Sequence, residues 1–146
     1  MSYKGKWNGT TFRSLLELSF MRHMVEDHGF TLGTTMLYEE HRIRYGRDGK
    51  RTYVVDFSLP DRKQMIEIKP SSRAMNRNNL AKRRAAQKWC RENGWEYFVV
   101  TEKEIYVTTH LISLEEAGGM HGVVLNDRAR RALRRKMAKW NKRKKS

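Results

Sequence analysis

Residues 54–70 of the chain, VVDFSLPDRKQMIEIKP, place charged side chains inside two otherwise apolar runs. Asp56 lies among valines and a phenylalanine, and Glu67 lies between two isoleucines. A carboxylate in such surroundings is costly unless it is paired or bound to a metal. Because strand side chains alternate, Glu67 and Lys69 are predicted to face the same side. A turn at residues 60–61 would bring Asp56 close to both.

Two carboxylates beside one lysine predict a particular chemistry. Carboxylate oxygens are hard ligands that suit Mg²⁺, and a nearby ammonium group can act on a phosphate or on an attacking water. A salt bridge at a strand edge is the alternative interpretation of Asp56. Three such residues at matching geometry favour a metal site, so Asp56, Glu67 and Lys69 are the predicted catalytic residues.

Glu17 is a further candidate because it interrupts the apolar face of a predicted helix. Arg13 precedes it by one helical turn, and such a pair is usually solvated. If the helix packs on the sheet, Glu17 would instead lie at the edge of the helix face that points towards the sheet. We therefore expect Glu17 to be a metal ligand or to position a water.

Charge is distributed unevenly along the 146 residues, whose net charge is +15. Residues 128–146 hold eleven Lys or Arg and no acid, whereas the preceding 127 residues hold 20 basic and 16 acidic residues. Clustered cations favour nucleic acid as partner, since each neutralised phosphate releases counterions. An anionic membrane surface and a merely solvated tail are the alternatives. The predicted DNA contacts in the tail are Arg128, Arg130, Arg131, Arg134, Arg135, Lys136, Lys139, Lys142 and Arg143.

A second basic group follows the catalytic motif. Its members lie in a loop and at the start of a helix, and beside the predicted metal site they are expected to contact phosphates, although a charge run is often only a solvated face. The group comprises Arg73, Arg77, Lys82, Arg83 and Arg84, and Arg13 is a further predicted DNA contact. The five histidines show no metal spacing and are assigned no role.

The periodicity predicts one α/β domain over residues 1–127 and a helical basic tail over residues 128–146. Residues 1–11 are expected to form an irregular arm. Thr10 or Thr11 would cap a helix that ends near residues 28–29. The later elements are three strands in a meander, a crossover helix and a strand parallel to the third, over residues 36–43, 51–59, 64–68, 78–93 and 95–101.

The region from residue 103 to residue 126 gives weak signals, apart from a short helix around residues 114–117. No apolar run is long enough to span a membrane, and no export signal is recognisable, so a soluble protein is expected. The single cysteine, Cys90, is expected to be a packed thiol.

Asp56 followed by Glu67-Ile68-Lys69 resembles the motif of the PD-(D/E)XK nuclease superfamily. This resemblance implies a restriction-endonuclease-like fold with a mixed central sheet flanked by helices. It also implies that Asp56, Glu67 and the Ile68 carbonyl bind Mg²⁺, with Mn²⁺ as a substitute, while Lys69 acts on the attacking water or the phosphate. Similar nucleases often carry a glutamine on the helix after the motif, near the metal-bound water, which implies Gln87. A helix-surface amide is the alternative interpretation of this residue.

Two narrower resemblances add to this interpretation. Residues 12–17, FRSLLE, look like the helix motif of phage endonuclease I Holliday-junction resolvases, which implies Glu17 as a ligand. The segments YKGKW, RSLLE, IEIKP and AAQ are similar to T-even-type phage head-completion nucleases, over residues 3–104.

The narrower resemblances imply a DNA endonuclease that leaves 5′-phosphate ends. Head completion would place it in the host-cell cytoplasm or the virion, with portal or neck proteins as partners. Two alternatives are a branched-DNA resolvase, which would act as a homodimer, and a non-catalytic DNA-binding or neck protein that keeps the fold.

Overall fold

The computed structural model describes residues 2–73, 76–108 and 110–145, with the side chains of residues 106–108 excepted. The chain forms two compact units. The first combines the segment up to residue 21 with the segment from residue 111 onward, and the second comprises residues 22–110. None of the described helices is long and apolar enough to cross a bilayer.

The first unit opens with a β-hairpin where an irregular arm was predicted. β1 (Gly5–Trp7) pairs with β2 (Thr10–Phe12), and the turn residues Asn8 and Gly9 have φ of 48° and 86°. An Asn-Gly turn with positive φ at both positions matches the twist of a two-residue hairpin. The prediction of an irregular arm over residues 1–11 is therefore wrong, because this dipeptide specifies a turn between two strands.

The first helix, α1 (Leu15–Arg22), begins after Ser14 and not after Thr10 or Thr11, which belong to β2. The Ser14 hydroxyl accepts a hydrogen bond from the Glu17 backbone N–H at 3.1 Å. Ser14 therefore satisfies one of the free amides at the helix start. A π-helical turn, His23–Asp27, follows α1, and the helical segment ends at His28 before Gly29, as predicted.

The remaining elements of the first unit follow residue 111. α4 (Leu114–Gly119) extends the short helix predicted around residues 114–117, and β9 (Val123–Leu125) pairs antiparallel with β1. α5 (Asp127–Lys145) is the long basic helix, and its first turns bury Ala129 and Ala132.

The second unit contains a four-stranded mixed sheet in the order β3, β6, β7, β8. Its strands are β3 (Leu37–Tyr38), β6 (Phe57–Leu59), β7 (Gln64–Ile68) and β8 (Glu96–Val100). The pair β7–β8 is parallel, which confirms the prediction of a crossover helix between them, and the other pairs are antiparallel. The helix α3 (Glu102–Thr108), which was not predicted, follows this sheet.

A two-stranded hairpin, β4 (Arg42–Tyr45) with β5 (Arg51–Val54), stands outside that sheet. The continuous strand predicted over residues 51–59 is therefore broken between β5 and β6, and the predicted three-strand meander is wrong. The Val55 N–H donates to the His41 carbonyl at 3.0 Å, and the Asp56 carbonyl accepts from the Glu39 N–H at 2.9 Å. The chain changes strand partners at this break, because β5 pairs with β4 whereas β6 pairs with β3.

The crossover helix α2 (Arg77–Asn93) covers one face of these strands. Asn76 caps it by accepting the Asn78 N–H at 2.9 Å, and Gly94 ends it with φ of 73°. Ala86 and Cys90 pack in a core with buried residues of the strands and of the break between β5 and β6: Ile43, Tyr53, Val55 and Met65. Burial raises the pKa of the Cys90 thiol, so the prediction of a packed cysteine is confirmed.

Substitution of Gly5 tests the packing of the first unit. A Cβ on Gly5 would lie 2.5 Å from the Val124 carbonyl oxygen and 2.7 Å from the Phe12 ring. Gly5→Ala is expected to destabilise the protein by about 1–3 kcal/mol, as overpacked sites do. Gly119→Ala is the matched control, because no atom lies within 4 Å of its added Cβ. Thermal unfolding followed by circular dichroism gives the comparison, and equal midpoints for the two variants would contradict the close approach of β9 to Gly5.

Candidate active site

Glu67 in β7 and Lys69, which directly follows β7, lie on the side of the sheet that α2 covers. Met65, two residues before Glu67, packs against Ala86 and Cys90 of α2, and strand alternation puts Glu67 on the same face. The Lys69 Nζ lies 3.2 Å from the Glu67 Oε1, and the Glu67 residue is buried. The structure thus brings together a carboxylate and an ammonium group, as the alternation of the motif predicts.

Asp56 reaches the same place from the break between β5 and β6. Its Oδ2 accepts a hydrogen bond from the Ile68 backbone N–H at 2.8 Å. Ile68 directly follows Glu67 in β7, so Asp56 is fixed beside the motif by a main-chain donor. Because the strand is broken at this position, the Asp56 side chain can accept a main-chain donor of β7.

Two tyrosines complete this cluster. The buried Tyr53 of β5 donates its hydroxyl to the Glu67 Oε2, and its Oη lies 3.0 Å from the Tyr97 Oη of β8. Burial, followed by the charge of Glu67, raises the pKa of Tyr53. Burial also raises the pKa of Tyr97, and the charges of Glu67 and Asp56 add to that effect. Both phenols therefore stay protonated at neutral pH, and both carboxylates act on one phenol.

Sequence reasoning missed Tyr53 and Tyr97. A tyrosine in an apolar strand is usually a core residue, but its buried hydroxyl needs a partner. Tyr53 precedes the predicted ligand Asp56 by three residues, and Tyr97 lies in a buried-type strand. The available signal was that a buried tyrosine hydroxyl and a buried carboxylate each need a hydrogen-bond partner, so the two could be expected to pair.

Glu67 borders a small cavity of about 10 Å³, which is room for about one water or one ion. Lys69 and Tyr97 line it from the sheet side. Three polar side chains of α2 also line it: Asn79, Lys82 and Arg83. The Lys82 Nζ lies 5.8 Å from the centre of the Tyr53 ring.

Gln87 lies one helical turn after Arg83. It lines a neighbouring hollow of about 300 Å³, which shares Arg83, Tyr97 and Val99 with the cavity at Glu67. This position places the glutamine beside the cluster and not within its hydrogen-bonded network. Its predicted role near a bound water stays a prediction.

The other predicted DNA contacts lie in several places. Arg84 lines a separate groove of about 580 Å³ between α2 and the β4–β5 hairpin. Arg73 and Arg77 are exposed near the start of α2, and Arg13 is exposed in the first unit. All nine tail cations predicted to contact DNA are exposed along α5.

Glu17 belongs to the first unit and is buried there, 8 % exposed. It is the third residue of α1, and Ser14 with Glu17 forms the Ser-x-x-Glu pattern of a capping box. A role at the start of the helix is thus enough to account for a glutamate at position 17. Its part in a metal site stays a prediction.

The donor set of the second unit fits a hard divalent cation. Tyr53 holds the Glu67 carboxylate and the Ile68 N–H holds the Asp56 carboxylate, and a carboxylate oxygen that accepts one hydrogen bond keeps a lone pair for a metal. Within the described residues, no group of three or more His, Cys, Asp or Glu could hold an ion by itself. An ion here would therefore take its remaining ligands from main-chain carbonyls, water or substrate.

Comparison with protein families identifies the segment that carries this cluster. Residues 32–102 match the family described as TnsA-like endonuclease N terminal. This is a restriction-endonuclease-like family, so the predicted PD-(D/E)XK resemblance is confirmed for this segment. No curated protein and no solved structure matches the chain.

The TnsA-like segment contains Asp56, Glu67, Lys69 and Gln87, together with both tyrosines. Its mixed sheet and helices agree with a restriction-endonuclease-like fold, and its family indicates a DNA nuclease. Such nucleases generally use divalent metals. Glu17 and α5 lie outside the matched residues.

Tyr53→Phe tests whether the phenol holds Glu67 in the orientation that a metal requires. Loss of a group that orients a ligand typically weakens metal binding about 10–100-fold, so the Mn²⁺ dissociation constant should rise by that factor. Activity should recover at saturating metal, because the ligand itself remains. Calorimetry and a metal titration of cleavage measure these two effects.

Tyr97→Phe is the matched control, since it removes the same atom one step farther from Glu67. Its effect on Mn²⁺ affinity should be smaller than that of Tyr53→Phe. Equal Mn²⁺ affinity in the parent and Tyr53→Phe would show that the tyrosine only fills the core.

Proposed function

We propose that the protein is a Mg²⁺-dependent DNA endonuclease, with Mn²⁺ as a substitute metal. The observation that carries this proposal is the convergence of Asp56, Glu67 and Lys69 inside the TnsA-like segment. A buried Glu67 held by a tyrosine and a lysine is an expensive arrangement for a protein that only binds DNA. This cost argues against the non-catalytic alternative.

Asp56 and Glu67 would hold the ion, and the Ile68 carbonyl is the third proposed ligand. The metal-ligand role of Glu17 stays a prediction. When bound, the ion supplies Lewis-acid chemistry at the scissile phosphate. Lys69 lies at the edge of the cavity, where its ammonium group can orient the attacking water or offset charge on the phosphate. In-line attack with departure of the 3′-oxygen would leave a 5′-phosphate.

The surroundings of the cavity support a nucleic-acid substrate. Lys82 and Arg83 line the cavity itself, so a phosphate that approaches Glu67 would meet two cations of α2. On another side of α2, the groove that contains Arg84 combines cations with aromatic rings, and its lining includes Arg44, Tyr45, Arg51, Lys88 and Trp89. Cations bind the backbone and aromatic faces stack with bases, which suits DNA without sequence readout.

α5 would supply further affinity. Its cations are exposed, whereas Ala129 and Ala132 are buried in the first unit. Removal of residues 128–146 would therefore remove core atoms together with charge. Substitution of exposed cations in the last turns tests the same proposal without that ambiguity.

The proposed biological setting is DNA processing during phage head completion, in the host cell or the virion, with portal or neck proteins as partners. Its support is the sequence likeness over residues 3–104, which includes the YKGKW and RSLLE segments of the first unit. Resolution of branched DNA is the second candidate, supported by the FRSLLE segment. A resolvase would need two copies to cut symmetric strands.

A substrate panel tests the activity and separates these settings. Purified protein is incubated with Mg²⁺ and linear, branched or four-way DNA while its mass in solution is measured. Cleavage of linear duplex by a monomer supports the head-completion setting, whereas paired cuts in four-way DNA by a dimer support a resolvase. No cleavage of any substrate with Mg²⁺ or Mn²⁺ would overturn the nuclease proposal.

Glu67→Gln and Asp56→Asn should each abolish cleavage, because each removes a charged metal ligand and keeps the side-chain shape. DNA binding should be equal or tighter, since a negative charge that faces phosphate is lost. Asp61→Asn is the matched control, as Asp61 is exposed in the turn before β7. A Glu67→Gln variant that cleaves within about tenfold of the parent would exclude the metal assignment, given the 10²-fold or larger effects typical of catalytic groups.

Lys69→Ala should lower the cleavage rate by about 10²-fold or more if the ammonium group assists proton transfer. Metal binding should persist, because the carboxylates remain. Calorimetry with Mn²⁺ separates the two effects. Loss of Mn²⁺ binding in Lys69→Ala would show that Lys69 only holds Glu67 in place.

Replacement of Lys139, Lys142 and Arg143 by glutamine should weaken DNA binding and flatten its salt dependence. Each phosphate contact contributes about −0.9 to the slope of log affinity against log salt. The control replaces three exposed cations of the second unit, Lys63, Arg91 and Lys103, and makes the same change in net charge. If both triple variants change the slope equally, α5 acts only through net charge.

A further inference from the structure

The π-helical turn after α1 brings two histidines together. His23 begins this turn and His28 follows its last residue. In an α-helix, residues five apart point in different directions, whereas the i to i+5 bonding of a π-turn places them side by side. Single π-turns inside helices are frequent at functional sites. On an α-helix, side chains that share a face are three or four residues apart. His23 and His28 are five apart, so the sequence gives no sign of this pair.

The two rings meet through their Nε2 atoms. The Nε2 of His23 lies 3.1 Å from the Nε2 of His28, and the ring planes are inclined by 83°. The other nitrogen of His23, Nδ1, lies 2.7 Å from the Asp27 Oδ2. The His23 side chain is only 14 % exposed, whereas His28 is an exposed residue. The pair is thus held on one side and open on the other.

Asp27 determines which nitrogen of His23 carries the proton. A carboxylate at Nδ1 requires an N–H there, so the neutral ring keeps its lone pair on Nε2, which faces His28. A carboxylate behind a histidine is the usual arrangement that orients metal-ligating imidazoles. With zinc–nitrogen bonds of about 2.0–2.1 Å, two nitrogens on one tetrahedral ion lie roughly 3.3 Å apart. The observed separation is close to that value.

We propose that His23 and His28 form a two-imidazole site for a divalent transition metal, with Zn²⁺ as the test ion and Asp27 as the orienting group. Imidazole suits Zn²⁺, Cu²⁺ and Ni²⁺, whereas Mg²⁺ prefers oxygen. The site is therefore chemically distinct from the carboxylates at Asp56 and Glu67 and does not depend on nuclease activity. Two protein ligands leave the ion open positions, which water or a donor from a bound partner would fill.

Zinc binding to the full chain tests this site. The parent for the test carries Asp56→Asn and Glu67→Gln, so that the carboxylate site cannot contribute. Calorimetry should show one equivalent of Zn²⁺, with no competition from millimolar Mg²⁺. X-ray absorption of the zinc complex should show two imidazole ligands.

His28→Ala should weaken zinc binding at least tenfold, because it removes one of two ligands and is an exposed position. Asp27→Asn should weaken it about tenfold or more through the orientation of His23, the low end of the range for such groups. His121→Ala is the matched control, as His121 is an exposed histidine of the first unit. Its zinc affinity should equal that of the parent.

Two results would overturn the proposal. The first is the absence of stoichiometric zinc binding in the carboxylate-free parent. The second is zinc binding that His28→Ala and Asp27→Asn leave unchanged, with circular dichroism showing that both variants are folded. In either case the pair is a hydrogen bond between two neutral rings, in which His28 donates to the lone pair of His23.

Discussion

The carboxylate of Glu67 is the constraint around which the second unit is organised. It is buried on a central strand, so both of its oxygens must find partners. Lys69 meets one oxygen and Tyr53 meets the other, and Tyr97 joins Tyr53 from the next strand. β5, β7 and β8 are therefore tied together through one charge. Exchange of that charge for an apolar group would relieve the burial cost but leave the lysine and the phenol without their acceptor.

The break between β5 and β6 is what allows Asp56 to join this arrangement. The sequence pattern predicts β5 and β6 as one strand. On such an unbroken strand, the Asp56 side chain would point to the opposite face from Val55 and Phe57. The change of partners at residues 55–56 frees Asp56 to accept the Ile68 N–H. The hydrogen bond that orients Asp56 thus also joins the start of β6 to the end of β7. The fold and the ligand geometry depend on the same few main-chain groups.

The sequence predicts the parts of this site that follow from alternation within one strand. Glu67 and Lys69 are two residues apart, and their contact needs no knowledge of the rest of the sheet. The parallel pairing of β7 with β8 follows as well, because a helix of crossover length separates them. Tyr53 could not be placed in the same way. Its contact with Glu67 depends on which strands pair, and the change of partners after β5 leaves no periodic signal in the sequence.

The local errors have a different cause, which is turn chemistry. The Asn8-Gly9 dipeptide specifies a two-residue hairpin, yet the short strands on either side contain only three residues each and carry little alternation. The π-turn is a similar case. One additional residue in a helical turn changes which side chains are neighbours, so His23 and His28 lie together although α-helical geometry separates them. Periodicity in the sequence does not predict side-chain contacts that depend on such single-residue irregularities. The proximity of His23 and His28 can therefore be found from the structure but not from the sequence pattern.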